Sequence, residues 1–306
     1  EFARKNYEHV IYLNFFENPD YADVFSGSLE VDNIVMLLSA LLGKNAVFEP
    51  HKTVLILDEI QECPDARTAL KFFHTDGRFD VIGTGSLLGV KGYGKDPKSI
   101  PVGSENVVTM YPLDFEEFLW ANGINPSIIE LLQKNLDEEI PVPEALHNRM
   151  RQLLLQYAVV GGMPEAVNAY YKNENFEEVE GILQKTLDKM TEYIVKVTPK
   201  KLLTKVMLIW NSIPVQLTKE NKKFMYGYVD PKARAREYES SVDHLVRIGV
   251  VRQVYRIRHG VLPLAEQVDE KSFEIYHLDH GLLRIMAGIH YNDIDKTNIV
   301  DTMDGM

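Results

Sequence analysis

Hydrophobic residues in the first 111 positions form short runs that alternate with amphipathic segments. Four runs rich in aliphatic, aromatic and β-branched residues predict strands: residues 9–15, 53–57, 80–85 and 107–111. Apolar residues at helical spacing predict a helix over residues 28–42, and Pro64 opens another that runs through residue 73. Strands that alternate with helices are typical of a parallel sheet covered by helices, so the pattern predicts an α/β fold.

From Asp114 onward, the spacing of apolar residues is mainly helical as far as about residue 197, with three breaks that contain proline: Pro126, residues 141–143 and residues 161–164. Two further amphipathic helices and a hairpin are then predicted: residues 202–213, 233–248 and 250–262. Helices followed by a hairpin are typical of a winged-helix module. A last strand and the start of another helix follow: residues 273–278 and 281–288.

Composition adds limits to this picture. The chain has 306 residues, of which 45% are hydrophobic and 25% charged, enough for two or three compact domains. Its apolar runs are too short to cross a membrane, and no secretory signal opens the sequence. The one cysteine, Cys63, has no partner for an internal disulfide, so we expect a cytoplasmic location and no membrane partner. Because the chain begins at Glu1 rather than Met, we expect it to be part of a longer polypeptide.

The net charge of −12 is unevenly spread. Residues 196–258 hold 14 Lys/Arg and 5 Asp/Glu, a local +9 that leaves −21 for the rest. Four basic residues of the predicted winged helix are candidates for contact with nucleic-acid phosphates: Lys222, Lys223, Arg234 and Arg236. A winged helix that contacts protein, or a solvated basic surface, explains the same cluster.

The sharpest chemical signal is a run of four apolar residues, 54–57, followed by Asp58 and Glu59. A buried parallel strand ends at the carboxyl edge of its sheet, where α/β proteins bind ligands. There, Asp58 is a candidate ligand of Mg²⁺, a cation that prefers oxygen, and Glu59 a candidate base for an attacking water. The alternative is a buried strand followed by a helix-capping Asp and an acidic first turn.

The next predicted strand ends in Thr84-Gly85-Ser86, which offers small hydroxyls at the same edge, although such a tripeptide also suits a plain turn. The phosphate-binding pattern G-x-x-x-x-G-K-[ST] does not occur in the 306 residues. Residues 89–94 are glycine-rich but lack its Gly-Lys-Ser/Thr ending, and they predict a surface loop.

Several segments, in this order, resemble the prokaryotic AAA-type ATPases that carry a C-terminal nuclease-like domain of unknown function and are distantly related to the STAND NTPases. The resemblance covers nearly the whole chain and is carried by these segments: Tyr12-Leu13-Asn14-Phe15, Leu57-Asp58-Glu59-Ile60-Gln61, Thr84-Gly85-Ser86, residues 111–118, Gly161-Gly162-Met163-Pro164-Glu165, Lys222-Lys223-Phe224, residues 273–276 and residues 279–283.

The resemblance implies a P-loop NTPase core without its phosphate-binding loop, a helical lid, a winged helix and the start of a further α/β domain: residues 1–118, 119–198, 199–262 and 263–306. It makes residues 57–61 a Walker B motif in which Asp58 holds Mg²⁺ and Glu59 is the base. It makes Ser86 the sensor of the γ-phosphate, with Thr84 as reserve. Gly162 and Pro164 become nucleotide contacts of the lid, because a helix that opens at Pro164 presents N–H groups to an anion. A plain helix–helix turn is the alternative.

We therefore expect the parent protein to be an ATPase that uses ATP and Mg²⁺, with its phosphate-binding loop upstream of Glu1. This chain alone is expected to bind nucleotide poorly and to be inactive, because the phosphate cradle is absent from its sequence. The family's arginine near residues 103–105 has no counterpart here, so no arginine finger is assigned. The alternative function is a DNA- or protein-binding regulatory module that uses the winged helix, with the ATPase fold as switch or scaffold.

Overall fold

The computed structural model describes residues 2–85, 103–232 and 234–294. The chain divides into two compact units, Glu1–Thr109 and Met110–Met306. Each unit has its own hydrophobic core.

The first unit is built on a parallel sheet. Its helices and strands are, in chain order, α1 (Phe2–Asn6), β1 (His9–Asn14), α2 (Val31–Leu42), β2 (Thr53–Asp58), α3 (Pro64–Asp76) and β3 (Asp80–Gly83). The strands lie in the order β1-β2-β3 and all pairs are parallel. The α/β prediction and its first three strands are confirmed.

The central strand β2 is buried because helices cover the sheet. Val54, Leu55 and Leu57 have no exposed surface, as their continuous apolar run predicts. Leu55 and Leu57 pack into a core with apolar residues of the flanking helices, such as Ile34 of α2 and Phe73 of α3. Pro64 occupies the start of α3, where its missing N–H costs no helical hydrogen bond. This packing fixes where β2 ends, and therefore where Asp58 lies.

The strand predicted over residues 107–111 is wrong. Described residues 105–114 contain no regular secondary structure. Val107, Val108 and Met110 are 62%, 77% and 87% exposed, so this apolar run joins no sheet. The run's composition favours a strand, but a strand needs a partner to accept its backbone hydrogen bonds.

The second unit is mainly helical. Its elements are α4 (Phe115–Ala121), α5 (Pro126–Asp137), α6 (Glu144–Val160), α7 (Pro164–Asn173), α8 (Phe176–Val197), α9 (Lys200–Leu217), α10 (Tyr226–Val229), α11 (Ala235–Arg247), β4 (Val251–Ile257), β5 (Val268–His277) and α12 (His280–Met286). One continuous core runs through them and includes Leu153, Leu183, Trp210 and Leu245. The predicted helix start at Pro164 is confirmed.

The hairpin of the second unit differs from the prediction. Strand β4 pairs antiparallel with β5, from Val251 opposite His277 to Ile257 opposite Val268. Residues 261–262, predicted as the return strand, belong to the connection. The strand predicted separately over residues 273–278 is the true partner, so the hairpin reaches beyond residue 262. The order helix, helix, hairpin suits the winged-helix prediction, which stays a prediction.

Within the described part of the chain, no helix combines the length and the apolarity that crossing a lipid bilayer requires.

Candidate functional site

Asp58 lies at the carboxyl end of β2, between the ends of two neighbouring strands. The parallel register sets Asn14 of β1 opposite Asp58, and Leu57 opposite Gly83 of β3. Thr84, which follows β3, donates its N–H to the Leu57 carbonyl over 2.9 Å. The sheet therefore gathers three polar side chains at one edge, as expected for the ligand-binding edge of an α/β protein.

Four donors contact the Asp58 carboxylate. Oδ1 accepts from the Thr84 hydroxyl and from the Glu59 N–H, the latter at 3.1 Å. Oδ2 accepts from the Tyr12 hydroxyl and from the Asn14 amide, the latter at 3.1 Å. Four bonds are roughly what the two oxygens of a carboxylate accept, so Asp58 is fully hydrogen-bonded.

These hydrogen bonds set the charge of Asp58. Burial is the largest influence on the carboxyl and acts to raise its pKa. The hydrogen bonds, led by that of Thr84, act in the opposite direction, and together they hold the pKa of Asp58 below its ordinary value. In return, the hydrogen bond to Asp58 raises the pKa of Tyr12. Asp58 is therefore ionised at neutral pH, and Tyr12 is a neutral donor.

Glu59 begins a tight turn that leaves the sheet. Its backbone is left-handed, with φ 54° and ψ 43°, which is uncommon for a residue other than glycine. Its side chain accepts a hydrogen bond from the Gln61 amide nitrogen. Glu59 thus lies next to Asp58 in the chain but is held by a different partner.

Ser86, the predicted sensor, lies outside the described residues. Thr84, the reserve, directly contacts Asp58. The structure therefore brings Asp58, Glu59 and Thr84 to one edge of the sheet. Their catalytic and metal-binding roles stay predictions.

Three further residues at this edge received no role from the sequence: Tyr12, Asn14 and Gln61. Asn14 also accepts hydrogen bonds of 2.9 Å from the N–H groups of Phe16 and Glu17, which closes the end of β1. For Asn14 the sequence held a signal, because a polar residue that ends a strand parallel to β2 must come to the same edge as Asp58.

The oxygen atoms of Asp58 are suitable ligands for Mg²⁺. Asp58 offers ionised oxygens, the ligand type that this cation prefers. Because all four acceptor positions are taken, direct coordination requires one donor to move aside. The Tyr12 side chain is 52% exposed and has room to do so. No loop for binding the phosphates of ATP can be assigned, because the chain's 306 residues contain no phosphate-binding loop sequence.

Gly162 and Pro164 lie in the second unit, at the start of α7. The Gly162 N–H donates to Asp279 Oδ2 over 2.7 Å, and its carbonyl accepts from the Leu113 N–H over 2.7 Å. Both backbone groups of Gly162 are thus used inside this unit, while Pro164 is exposed. Their contact with nucleotide stays a prediction.

The four predicted basic residues fall into two groups. Lys222 and Lys223 are half-buried and precede Phe224, whose N–H donates to the Phe273 carbonyl of β5 over 2.8 Å. Arg234 and Arg236 are exposed at the amino end of α11. Only the arginines are therefore fully available to a phosphate in this conformation.

Comparison with known families divides the chain in two. Residues 1–119 match a family described as an AAA domain. Residues 151–293 match a family described as a domain of unknown function, DUF8612. No curated protein matches the chain. Among solved structures, the Walker-type ATPase PABY2304 of Pyrococcus abyssi matches at 12% identity and a TM-score of 0.47, over 91% of this chain and 84% of that one.

Proposed function

By the AAA domain of residues 1–119 this chain belongs to the AAA-type ATPases, and we propose that it supplies the Walker B part of a site that binds and hydrolyses ATP with Mg²⁺. The observation that carries the proposal is the hydrogen bond from the Thr84 hydroxyl to Asp58 Oδ1. It joins the ends of two neighbouring parallel strands, with Glu59 next in the chain. A carboxylate pair beside a hydroxyl at this edge suits phosphoryl transfer to water.

Asp58, Glu59 and a hydroxyl side chain would have separate roles. Asp58, ionised and fully hydrogen-bonded, would hold Mg²⁺ through its carboxylate oxygens. Glu59 would accept a proton from the attacking water. Ser86, with Thr84 as reserve, would contact the γ-phosphate. When bound, Mg²⁺ supplies positive charge that offsets the negative charge on the transferring phosphoryl group.

The test uses the protein expressed from its complete natural reading frame. Glu59→Gln should lower kcat by about 10²–10⁴-fold, because the amide cannot take the proton, while nucleotide affinity stays the same. Asp58→Ala should abolish the Mg²⁺-dependent part of nucleotide binding in calorimetry. The matched control is Glu62→Gln, an exposed acidic residue in the same turn, which should leave both measurements unchanged.

Unchanged hydrolysis in Glu59→Gln would remove the proposal. The same calorimetry on these 306 residues alone should show weak nucleotide binding, since the phosphate-binding loop sequence is absent from them. Tight binding by this chain, at low-micromolar concentration or below, would contradict the expectation that these 306 residues lack a phosphate cradle.

A second candidate is a DNA-binding module in the second unit. The local charge of +9 over residues 196–258 and the exposure of Arg234 and Arg236 favour it. The test is retention of duplex DNA as a function of salt. The quadruple change Lys222→Gln, Lys223→Gln, Arg234→Gln and Arg236→Gln should weaken binding and flatten its salt dependence.

The matched control removes four exposed lysines outside that segment: Lys134, Lys172, Lys185 and Lys189. Equal losses in the two quadruple variants would mean that net charge alone governs binding. Absence of DNA binding at low salt would eliminate this candidate.

A further inference from the structure

The turn that carries Glu59 is fixed on both sides. The Ile60 N–H donates to the Thr84 carbonyl over 3.0 Å, which ties the turn to the end of β3. The Ile60 side chain is fully buried, and its Cδ1 lies 3.0 Å from where a Cβ on Gly83 would be. The left-handed backbone of Glu59 is strained, and it persists because these neighbours hold it. The direction of the Glu59 side chain is therefore set by the turn.

Among the described residues, one oxygen of Glu59 has a hydrogen-bond partner and the other has none. Oε2 accepts from the Gln61 amide nitrogen, whereas Oε1 accepts no hydrogen bond from the described residues. An ionised carboxylate only accepts hydrogen bonds, so the Gln61 amide must turn its NH₂ group towards Glu59. The Gln61 carbonyl oxygen must then face away, and it is buried without a partner among the described residues. Within the part of the chain that the structure describes, Gln61 thus leaves its own acceptor unsatisfied while it binds Glu59.

A buried acceptor without a partner destabilises the folded state, so a hydrogen bond that leaves an acceptor in this state needs a reason. We infer that Gln61 is the positioning residue of the candidate base: it holds Oε2 of Glu59 so that Oε1 stays free and aimed to take a proton from water. This inference rests on the proposed function and adds a residue to it. Positioning matters at this scale, because a displacement of about 1 Å costs roughly 10²-fold in rate.

In the step that Gln61 assists, the water oxygen bonds to the γ-phosphorus while the bond from that phosphorus to the bridging oxygen breaks. The bridging oxygen keeps the electron pair of that bond. One water proton goes to Oε1 of Glu59. Gln61 exchanges no proton and touches no reacting atom, so its effect passes through Glu59 alone.

The test compares Gln61→Leu with Gln61→Asn in the protein expressed from its complete natural reading frame. Leucine has a similar size but cannot donate, so kcat should fall by about 10–100-fold while KM and the nucleotide dissociation constant stay the same. Asparagine keeps the amide on a shorter side chain and should recover part of kcat. The control is Gln133→Leu, which removes an exposed amide–carboxylate bond of 2.8 Å to Asp137 and should change nothing.

A second measurement needs no activity. In a ¹H–¹⁵N spectrum of this chain without nucleotide, the Gln61 side-chain NH₂ signals should shift in Glu59→Ala and stay in place in Glu62→Ala. Both results together support the inference.

Three results would overturn it. If Glu59→Gln abolishes hydrolysis but Gln61→Leu does not lower kcat, the proposed function stands and Gln61 has no part in it. If Gln61→Leu lowers thermal stability and changes kcat and KM together, Gln61 only supports the turn. If Glu59→Gln itself leaves hydrolysis unchanged, the proposed function fails and this inference fails with it.

Discussion

The Gly162 N–H donates a hydrogen bond of 2.7 Å to Asp279 Oδ2, across 117 residues of chain. Asp279 is 3% exposed, and its other oxygen accepts from the Leu282 N–H over 2.9 Å at the start of α12. One buried carboxylate therefore joins the beginnings of α7 and α12. The approach is close enough that a Cβ on Gly281 would lie 2.8 Å from the Gly161 Cα.

Gly162→Ala should destabilise the second unit. A Cβ at this position would lie 2.1 Å from the Leu113 carbonyl oxygen, and backbone cannot rotate away as a side chain can. We expect a loss of about 3 kcal/mol or more in the free energy of unfolding, measured by urea denaturation. The matched control is Gly181→Ala inside α8, where nothing lies within 4 Å, and which should stabilise by about 0.5–1 kcal/mol. Equal effects in the two variants would contradict the packing role of Gly162.

Arg284→Ala should be among the most destabilising changes in the second unit. Arg284 has no exposed surface and donates to the Val159 carbonyl at 3.2 Å, to Glu180 at 3.2 Å and to the Ile289 carbonyl at 2.6 Å. Its removal leaves Glu180 without this partner and should cost about 3–5 kcal/mol in urea denaturation.

A double variant tests the charge interaction in this network, and a control variant tests an exposed ion pair elsewhere. Arg284→Ala combined with Glu180→Ala should cost less than the sum of the single changes, because the two charges interact directly. Lys134→Ala removes an exposed pair with Glu138 at 4.0 Å and should change stability by about 0.5 kcal/mol or less. Additive single effects at residues 180 and 284 would rule out their coupling.

Stability should fall as the pH drops below about 6.5, because of His277. Burial lowers the pKa of His277 to about 4, although the nearby charge of Asp279 acts to raise it. In the unfolded chain the histidine titrates near 6.5, so the unfolded state binds the proton first. The contribution of His277 to the free energy of unfolding is complete above pH about 6.5, decreases between pH about 6.5 and about 4, and changes no further below that. It amounts to about 3 kcal/mol.

Urea denaturation at about pH 7.5 and about pH 5 checks the pH effect. His277→Gln should be less stable at the higher pH, because it loses the ring nitrogen that accepts the Asp279 N–H at 3.1 Å. It should also lose less stability on acidification than the natural protein. The control His74→Gln changes an exposed histidine and should show the same dependence of unfolding free energy on pH as the natural protein. If His277→Gln also showed this same dependence, His277 would be excluded as the cause of the pH effect.

Thr84→Val should raise the pKa of Asp58 towards its ordinary value, because Thr84 provides the leading hydrogen bond that lowers it. The measurement is an NMR titration of the Asp58 carboxyl carbon. Thr84→Ser keeps the hydroxyl and should retain the low pKa. A carboxyl whose pKa is lowered by folding stabilises the folded state above pH about 3.8, and this stabilisation is lost as the pH falls. In Thr84→Val the free energy of unfolding should therefore decrease less steeply at acidic pH. An unchanged pKa in Thr84→Val would show that Thr84 does not stabilise the carboxylate.

The sequence by itself determined the elements whose signals are local. The unbroken apolar run before Asp58 predicted a buried parallel strand, and Pro64 and Pro164 each marked the first turn of a helix. It also determined that Asp58 and Thr84 would share one edge, because parallel strands end on the same side. The run at residues 107–111 carries a similar local signal and forms no strand, since a local signal does not supply a partner.

Only the tertiary structure decided the contacts between distant segments. The partner of β4 begins at Val268, because the antiparallel register is chosen by packing across the whole hairpin. The roles of Tyr12 and Gln61 depend on side-chain directions set by the strand register and by the left-handed turn at Glu59. Likewise, the need for glycine at position 162 appears only when the Leu113 backbone lies against it. Spacing along a chain fixes which residues lie on one face, whereas contacts between faces are fixed by packing.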